Sequence, residues 1–449
     1  MKQIPNPSAT RRSIPQPRHD CRSTPASPNL PLPLPRGPSV CQGIIAKLPS
    51  GLSRGLPDAA SPSKPSQGVI TAMLSRRPFL AAGMAAVGSG VLALPAARSR
   101  ASEAFVLREL AAEKGLVYGT TIAAVQITGD PSFVDLVREQ AGLVVAENEM
   151  KWQVMNRGAP DDDDYGPADT IANFATANHL VLRGHNLLWY HRTPSWYFDL
   201  PSRQEQERAV VRHIQELAGR YRGKIHSWDV VNEPIEPKDG RPDGLRTAVF
   251  LETLGPEYLD LAYRTAREAD PAARLVVNEY DIEFDAPEQE ARRVALLQLL
   301  ERMKAAGTPV DAVGVQAHLT AVGGPPFSAA LLRRFLADIA GLGLTIQITE
   351  LDVTDENAPA DIAVRDRLVA DAYRRFLDAA LDEPAVKMVV TWGLSDRHSW
   401  IVRRETYEAK WRTDGVLSRP LPFNADLEPK PACEAIAQSF AHAPQRTAG

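Results

Sequence analysis

From residue 105 to about 441 the chain alternates between two hydrophobic rhythms. Eight short, β-branched, apolar runs fall at 118–126, 143–150, 179–188, 224–232, 273–280, 312–319, 344–353 and 386–394. Between them lie longer stretches in which apolar residues recur every three or four positions, such as 203–221 (RQEQERAVVRHIQELAGRY) and 286–306. That spacing belongs to helices with one buried face. Gly255-Pro256-Glu257 and Asp285-Ala286-Pro287-Glu288 place proline and acid where a helix begins. Strands alternating with helices predict a parallel sheet, and eight such units close into a barrel. The expected fold class is α/β: a single (β/α)8 TIM barrel over 103–443, followed by a short tail at 444–449.

The first hundred residues follow neither rhythm. Residues 1–72 carry 14 of the 37 prolines and many serines, a composition that cannot bury enough apolar surface to offset ordering entropy. They read as a disordered leader. Met73 then opens SRRPFL (75–80), the apolar run 81–96 and small residues around Ala96, Ala97 and Ala101. This order predicts a twin-arginine export signal over 73–102 and a periplasmic or secreted mature protein. The run is too short to span a bilayer, so no stable membrane association is expected once the signal is removed. A start at Met73 would account for the leader.

Charge sharpens this division. Residues 1–72 carry a net +7 and residues 73–102 a net +4, so a whole-chain charge of −4 leaves the remainder at −15. An acidic body argues against nucleic acid as a partner and suits a neutral polymer. Of the three cysteines, Cys21 and Cys41 lie in the leader, leaving Cys433 alone in the folded part. No internal disulfide is available there.

In a barrel the chemistry sits at the C-terminal ends of the strands, and here those ends are polar or aromatic. The second run ends on Glu147, Asn148, Glu149 and Lys151, the third on His185 and Trp189, and the fourth on Asn232 and Glu233. Asn278, Glu279 and Tyr280 end the fifth, Gln316 and His318 the sixth, Glu350 and Asp352 the seventh, and Trp392 the eighth. Two glutamates on opposite sides of one ring are what glycoside hydrolysis requires: a proton donor and a carboxylate that attacks the anomeric carbon or activates water there, depending on a gap that the sequence does not give. Asp352, at alternate spacing from Glu350, and His318 on the adjacent strand offer Glu350 a hydrogen-bonding bridge. A carboxylate so held stays ionised, whereas a carboxyl facing that charge keeps its proton. Glu350 is thus expected to be the nucleophile and Glu233 the acid/base. Trp189, Trp392 and Trp400 offer flat faces for a sugar ring with indole N–H groups free to bond, while Trp152 and Trp228 read as core.

The ordered set ENEMKW (147–152), RGHNLLW (183–189), WDVVNE (228–233), VGVQAHL (313–319), ITELDV (348–353), TWGLSDRHSW (391–400) and EPKPA (428–432) resembles glycoside hydrolase family 10, the endo-β-1,4-xylanases. The resemblance covers about 105–441. It implies cleavage within xylan with retention of anomeric configuration, no cofactor and no metal, and a monomer acting on xylan and xylo-oligosaccharides. By motif, Glu147, Asn148, Lys151 and Trp189 would hold sugars on the glycone side. His185, Asn232, Gln316, His318, Trp392 and Trp400 would surround the scissile bond, with Asp352 and Tyr280 supporting.

Three departures stand out. Where the family has His-Ser-Gln after the third-strand tryptophan, this chain has Tyr190, His191 and Arg192. Arg192 is either a reader of an acidic branch such as glucuronic acid or the partner of an acid such as those at Asp161 to Asp164. Glu279 replaces an aspartate, and His398 a tyrosine; both are expected to shift subsite preference. The four consecutive acids at 161–164 lack the alternate spacing of a calcium loop and read as a solvated turn. The rival readings are another barrel glycosidase acting on β-1,4-glucan or β-mannan, a catalytically silent sugar-binding barrel, and a metal-dependent hydrolase using His185 and His318. The last lacks a third convincing ligand.

Overall fold

A computed structural model describes residues 106–402 and 412–447. The leader, the export signal and the last two residues of the tail lie outside the described residues. Eight strands form the barrel: β1 (Val117–Ile122), β2 (Leu143–Ala146), β3 (Val181–Gly184), β4 (Ile225–Asn232), β5 (Arg274–Glu279), β6 (Ala312–Val315), β7 (Thr345–Thr354) and β8 (Val386–Thr391). Each pairs in parallel with its sequence neighbours, and β8 closes the ring on β1 with Val117 opposite Met388. All eight expected runs are strands.

Two runs are broken where one continuous strand was expected. The third stops at Gly184, and Leu188–Trp189 resumes pairing on β4, opposite Val231 and Asn232. The sixth stops at Val315, and His318–Thr320 resumes on β7, opposite Asp352 to Thr354. At the second break Ala317 takes a left-handed backbone, with φ of 63°. Its amide donates to the buried Glu283 carboxylate at 2.9 Å, which compensates a conformation that costs a residue bearing Cβ. Both breaks turn strand-end side chains toward the mouth. The first two runs are also shorter than expected: a short helix starts at Ala124, and past Ala146 the chain turns over 147–151 before a helix at Trp152.

The helices form the outer layer. Arg203–Arg220 begins where the Ser202 hydroxyl accepts the Glu205 amide, and it buries Val210, Ile214 and Leu217 against the barrel. Pro287 opens Pro287–Ala305 at the position where a missing N–H costs nothing. Trp228 is fully buried, and Gly184 permits its ring: a Cβ there would meet Trp228 at 2.1 Å. Trp152 is also core, stacked on His213 at 4.2 Å. The chain past 443 is held against the barrel, since buried Arg446 bonds the carbonyls of Val386 and Leu381 at 2.9 and 2.6 Å.

Candidate active site

Glu233 immediately follows β4 with φ of 58°. This left-handed turn is tied down on both sides: the Glu233 amide donates to the Asn278 carbonyl at 2.8 Å, and the Glu233 carbonyl accepts from Arg246 Nε at 2.8 Å. The carboxyl is directed into the cleft, where Oε1 accepts from Asn232 Nδ2 and from Gln316 Nε2, each at 3.2 Å. Glu350 lies within β7 across the mouth. Its Oε1 accepts from Asn278 Nδ2 at 2.7 Å, and its Oε2 is 3.3 Å from His318 Nε2.

Behind Glu350 runs a relay. His318 Nδ1 meets Asp352 Oδ1 at 2.9 Å, and Trp400 Nε1 donates to Asp352 Oδ2 at 2.6 Å. His318 therefore bridges Glu350 and Asp352 as the strand spacing predicts. Trp400 departs from expectation: its indole N–H is committed to Asp352 rather than left for a sugar. Burial alone would raise the Glu350 carboxyl. The His318 hydrogen bond and the fields of His185, His318 and Lys151 outweigh it and hold the group at about 2. Glu350 is thereby held in its ionised form.

Asn278 joins the two halves. Its Nδ2 reaches both Glu350 and Asn232 Oδ1, each at 2.7 Å, while its Oδ1 accepts from Thr349 Oγ1 at 2.7 Å. Gly314 makes room for it, since a Cβ there would meet Asn278 Oδ1 at 2.2 Å. The sequence placed Asn278 at a strand end but not among the binding residues. A second group hidden from sequence reasoning lies one layer below. Fully buried Arg183 pairs with fully buried Asp229 and also donates to Gln347 at 2.9 Å. Asp229 Oδ2 meets His185 Nδ1 at 2.7 Å and so orients that ring. The available signal was the charge itself, an arginine and an aspartate inside otherwise apolar runs.

On the other flank Lys151 donates to Asn148 Oδ1 at 3.0 Å, and Asn148 donates to Glu147 Oε1 at 3.3 Å. The Lys151 ammonium lies 5.1 Å from the Trp189 ring and 5.7 Å from the Trp392 ring. Burial pulls it down to about 8 against the opposing pull of Glu350, Glu147 and Glu233. Glu149, although at the same strand end, turns away to accept the amides of Ala124 and Asn148. Tyr280 caps the far side, its hydroxyl accepting from Arg246 at 2.9 Å.

These side chains enclose a cleft of about 330 Å³. It brings together Glu147, Asn148, Lys151, His185, Trp189, Asn232, Glu233, Tyr280, Gln316, His318, Glu350, Trp392 and Trp400, and adds Tyr190, His191, Arg192 and Asp281. Asp352 stands directly behind it. The two other departures do not face it. Glu279 is fully buried and accepts the Ile235 amide at 3.0 Å, and His398 is drawn to Asp130 at 2.9 Å and packs edge-on against Phe133. Their expected effect on subsites has no direct contact to act through. The acids at 161–164 lie at the surface, with Asp161 on Arg212, as a solvated turn requires. Among the described residues no group of three or more His, Cys, Asp or Glu could hold a metal ion.

One ionised and one amide-bound carboxyl, facing each other in a cleft walled by tryptophan, can perform acid-assisted displacement at an acetal carbon. Comparison with known proteins agrees. The chain is 35% identical over 289 residues to endo-1,4-beta-xylanase A of Fusarium oxysporum f. sp. lycopersici, covering 62% of this chain and 84% of that one. It is 32% identical over 360 residues to endo-1,4-beta-xylanase C of Paenibacillus barcinonensis, covering 73% of this chain but only 31% of that longer protein. Among solved structures, xylanase 10B from Thermotoga petrophila RKU-1 in complex with xylobiose superposes with a TM-score of 0.67 at 28% identity, covering 75% of this chain and 98% of that one. The model of glycosyl hydrolase family 10 matches residues 106–439, three quarters of the sequence, and the chain belongs to that family.

Proposed function

We propose that this glycoside hydrolase is a retaining endo-β-1,4-xylanase. In the first step a Glu350 oxygen attacks the anomeric carbon of a xylosyl unit while Glu233 gives its proton to the departing glycosidic oxygen. The bond to that oxygen breaks as the bond to Glu350 forms. In the second step Glu233, now a base, takes a proton from water, and the resulting hydroxide displaces Glu350. Net inversion happens twice, so configuration is retained.

The observation that carries this reading is the state of Glu350: buried, yet held ionised by His318, with Asn278 on its other oxygen. A barrel that only bound sugar would have no use for a carboxylate stabilised in this way. The Asn232 amide, in the cleft beside Glu233, suits a hydrogen bond to a sugar hydroxyl that strengthens at the transition state. Xylan is favoured over glucan because Lys151 and Trp392, each over nine-tenths buried and packed together, leave little room for a hydroxymethyl group. The xylobiose-bound neighbour supports the same substrate class. Export of the mature enzyme by the segment at 73–102 fits a polymer that cannot enter a cell.

Replacing Glu350 with alanine is expected to abolish release of reducing ends from xylan while leaving xylo-oligosaccharide binding measurable. Wild-type enzyme should act on xylan far faster than on carboxymethylcellulose, with the β-anomer appearing first by NMR. Undiminished xylan cleavage by the alanine variant would overturn the assignment, and initial appearance of the α-anomer would overturn retention.

A further inference from the structure

Arg192 ends the short turn Tyr190–Arg192 that follows the Trp189 segment, and it lines the cleft. The acids around it are largely committed elsewhere. Of the acids at 161–164 that the sequence offers it, Asp161 is taken by Arg212, and none of them pairs with Arg192; Asp169 is taken by Arg220. Glu350 is bound to Asn278 and His318. Among the described residues Arg192 makes no ion pair, and its Nε is buried without a hydrogen-bond partner. The guanidinium lies 6.0 Å from the Trp189 ring, the same ring that Lys151 approaches from 5.1 Å. Two cations thus share one aromatic wall, and the field of Arg192 lowers both Lys151 and His191.

This arrangement is unfavourable for Arg192. A buried guanidinium N–H without an acceptor loses its hydration for nothing in return, and the like charge of Lys151 adds to the loss. A linear neutral xylan offers hydroxyls but no charge to offset it. A planar carboxylate does, since the guanidinium fork matches it with two parallel hydrogen bonds. We propose that Arg192 reads the carboxylate of a uronic acid branch, making xylan that carries glucuronic acid on the Trp189 side of the cleft a preferred substrate. The inference rests on the xylanase reading and deepens it: the backbone sugars are held by amides and tryptophan, and the branch by Arg192. Glutamine, which the family resemblance places at this position, could bond a neutral hydroxyl but carries no charge for a uronate.

The test compares kcat/KM on a glucuronic-acid-substituted xylo-oligosaccharide and on its unsubstituted counterpart for wild type, Arg192→Gln and Arg192→Lys. Arg192→Gln should lose about 10- to 100-fold on the acidic substrate, the range for a hydrogen bond to a charged group, with a loss several times smaller on the neutral one. Arg192→Lys should fall between, keeping the charge without the fork. Added salt should narrow the wild-type preference and leave that of Arg192→Gln unmoved. Equal losses of Arg192→Gln on both substrates would make the residue a support for the turn and overturn the proposal. So would a wild-type ratio indifferent to salt. Failure of wild type to cleave either oligosaccharide would instead remove the xylanase reading beneath it.

Discussion

Replacing Asp229 with asparagine removes the carboxylate against which both Arg183 and His185 are held. Arg183 and Asp229 are each 0% exposed, so the guanidinium would remain in the barrel interior with Gln347 as its remaining side-chain partner. Removing one partner of a buried pair costs about 3–5 kcal/mol, because the surviving charge is uncompensated. For roughly 330 folded residues the unfolding entropy is about 0.7 kcal/mol/K, which converts that loss into a drop in Tm of about 4–7 °C. Calorimetry reads it directly. Function should fall as well: His185 loses a charged acceptor 2.7 Å from Nδ1, so its ring is less firmly set beside Trp392, and kcat/KM on xylan should decline about tenfold. The double variant Arg183→Met with Asp229→Leu separates the two effects. An apolar pair of similar volume should recover most of the stability but none of the activity, since His185 still lacks its acceptor. A melting point for Asp229→Asn within about 1 °C of the parent, or a double variant as unstable as the two single losses summed, would refute this account.

Glu233→Gln should lower kcat/KM on xylan about 10²- to 10⁴-fold, yet by much less on an aryl xyloside whose leaving group needs no proton; equal losses of kcat/KM on both would remove Glu233 as the acid. Burial pushes the Glu283 carboxyl up to about 7 and Glu279 up to about 8. The folded chain therefore keeps protons that the unfolded chain sheds above about 4.5, and the stability linked to them is full below that pH and lost as pH rises toward 7 to 8. Tm should decline from pH 5 to 8, less steeply in Glu283→Gln; an unchanged slope would exclude Glu283 as a source. Lys430 bonds Asp396 at 2.8 Å and the Arg419 carbonyl at 2.7 Å. It thereby anchors the loop that leads to Trp400. Lys430→Ala should cost about 3–5 kcal/mol and raise KM for xylan, and denaturant unfolding within 1 kcal/mol of wild type would contradict that anchoring.

Much of the architecture was legible in one dimension. Eight apolar runs spaced by amphipathic stretches specify strands and helices locally, and short crossovers leave parallel closure as the natural arrangement. Side chains at the strand ends then converge because every parallel strand delivers its C-terminal end to the same mouth. For that reason Glu233 and Glu350, 117 positions apart by their numbers, could be paired on paper. Strand register also predicted the His318 bridge between Glu350 and Asp352.

What escaped the sequence were choices among partners. Arg192 had several acids within plausible reach, and only the folded chain hands Asp161 to Arg212 and leaves Arg192 in the cleft. Glu149 and His398 share motifs with cleft residues but turn away, because Ala124 and Asp130 provide bonds that local spacing does not reveal. Asn278 reads as one more strand-end amide until closure sets it between Glu350 and Asn232. Pattern and periodicity are properties of neighbours in the chain, so the sequence by itself determined the elements, their order and the chemistry at their ends. Which charge meets which, and which cation is left for a ligand, depends on distances between strands far apart in sequence, and those exist only once the barrel has closed.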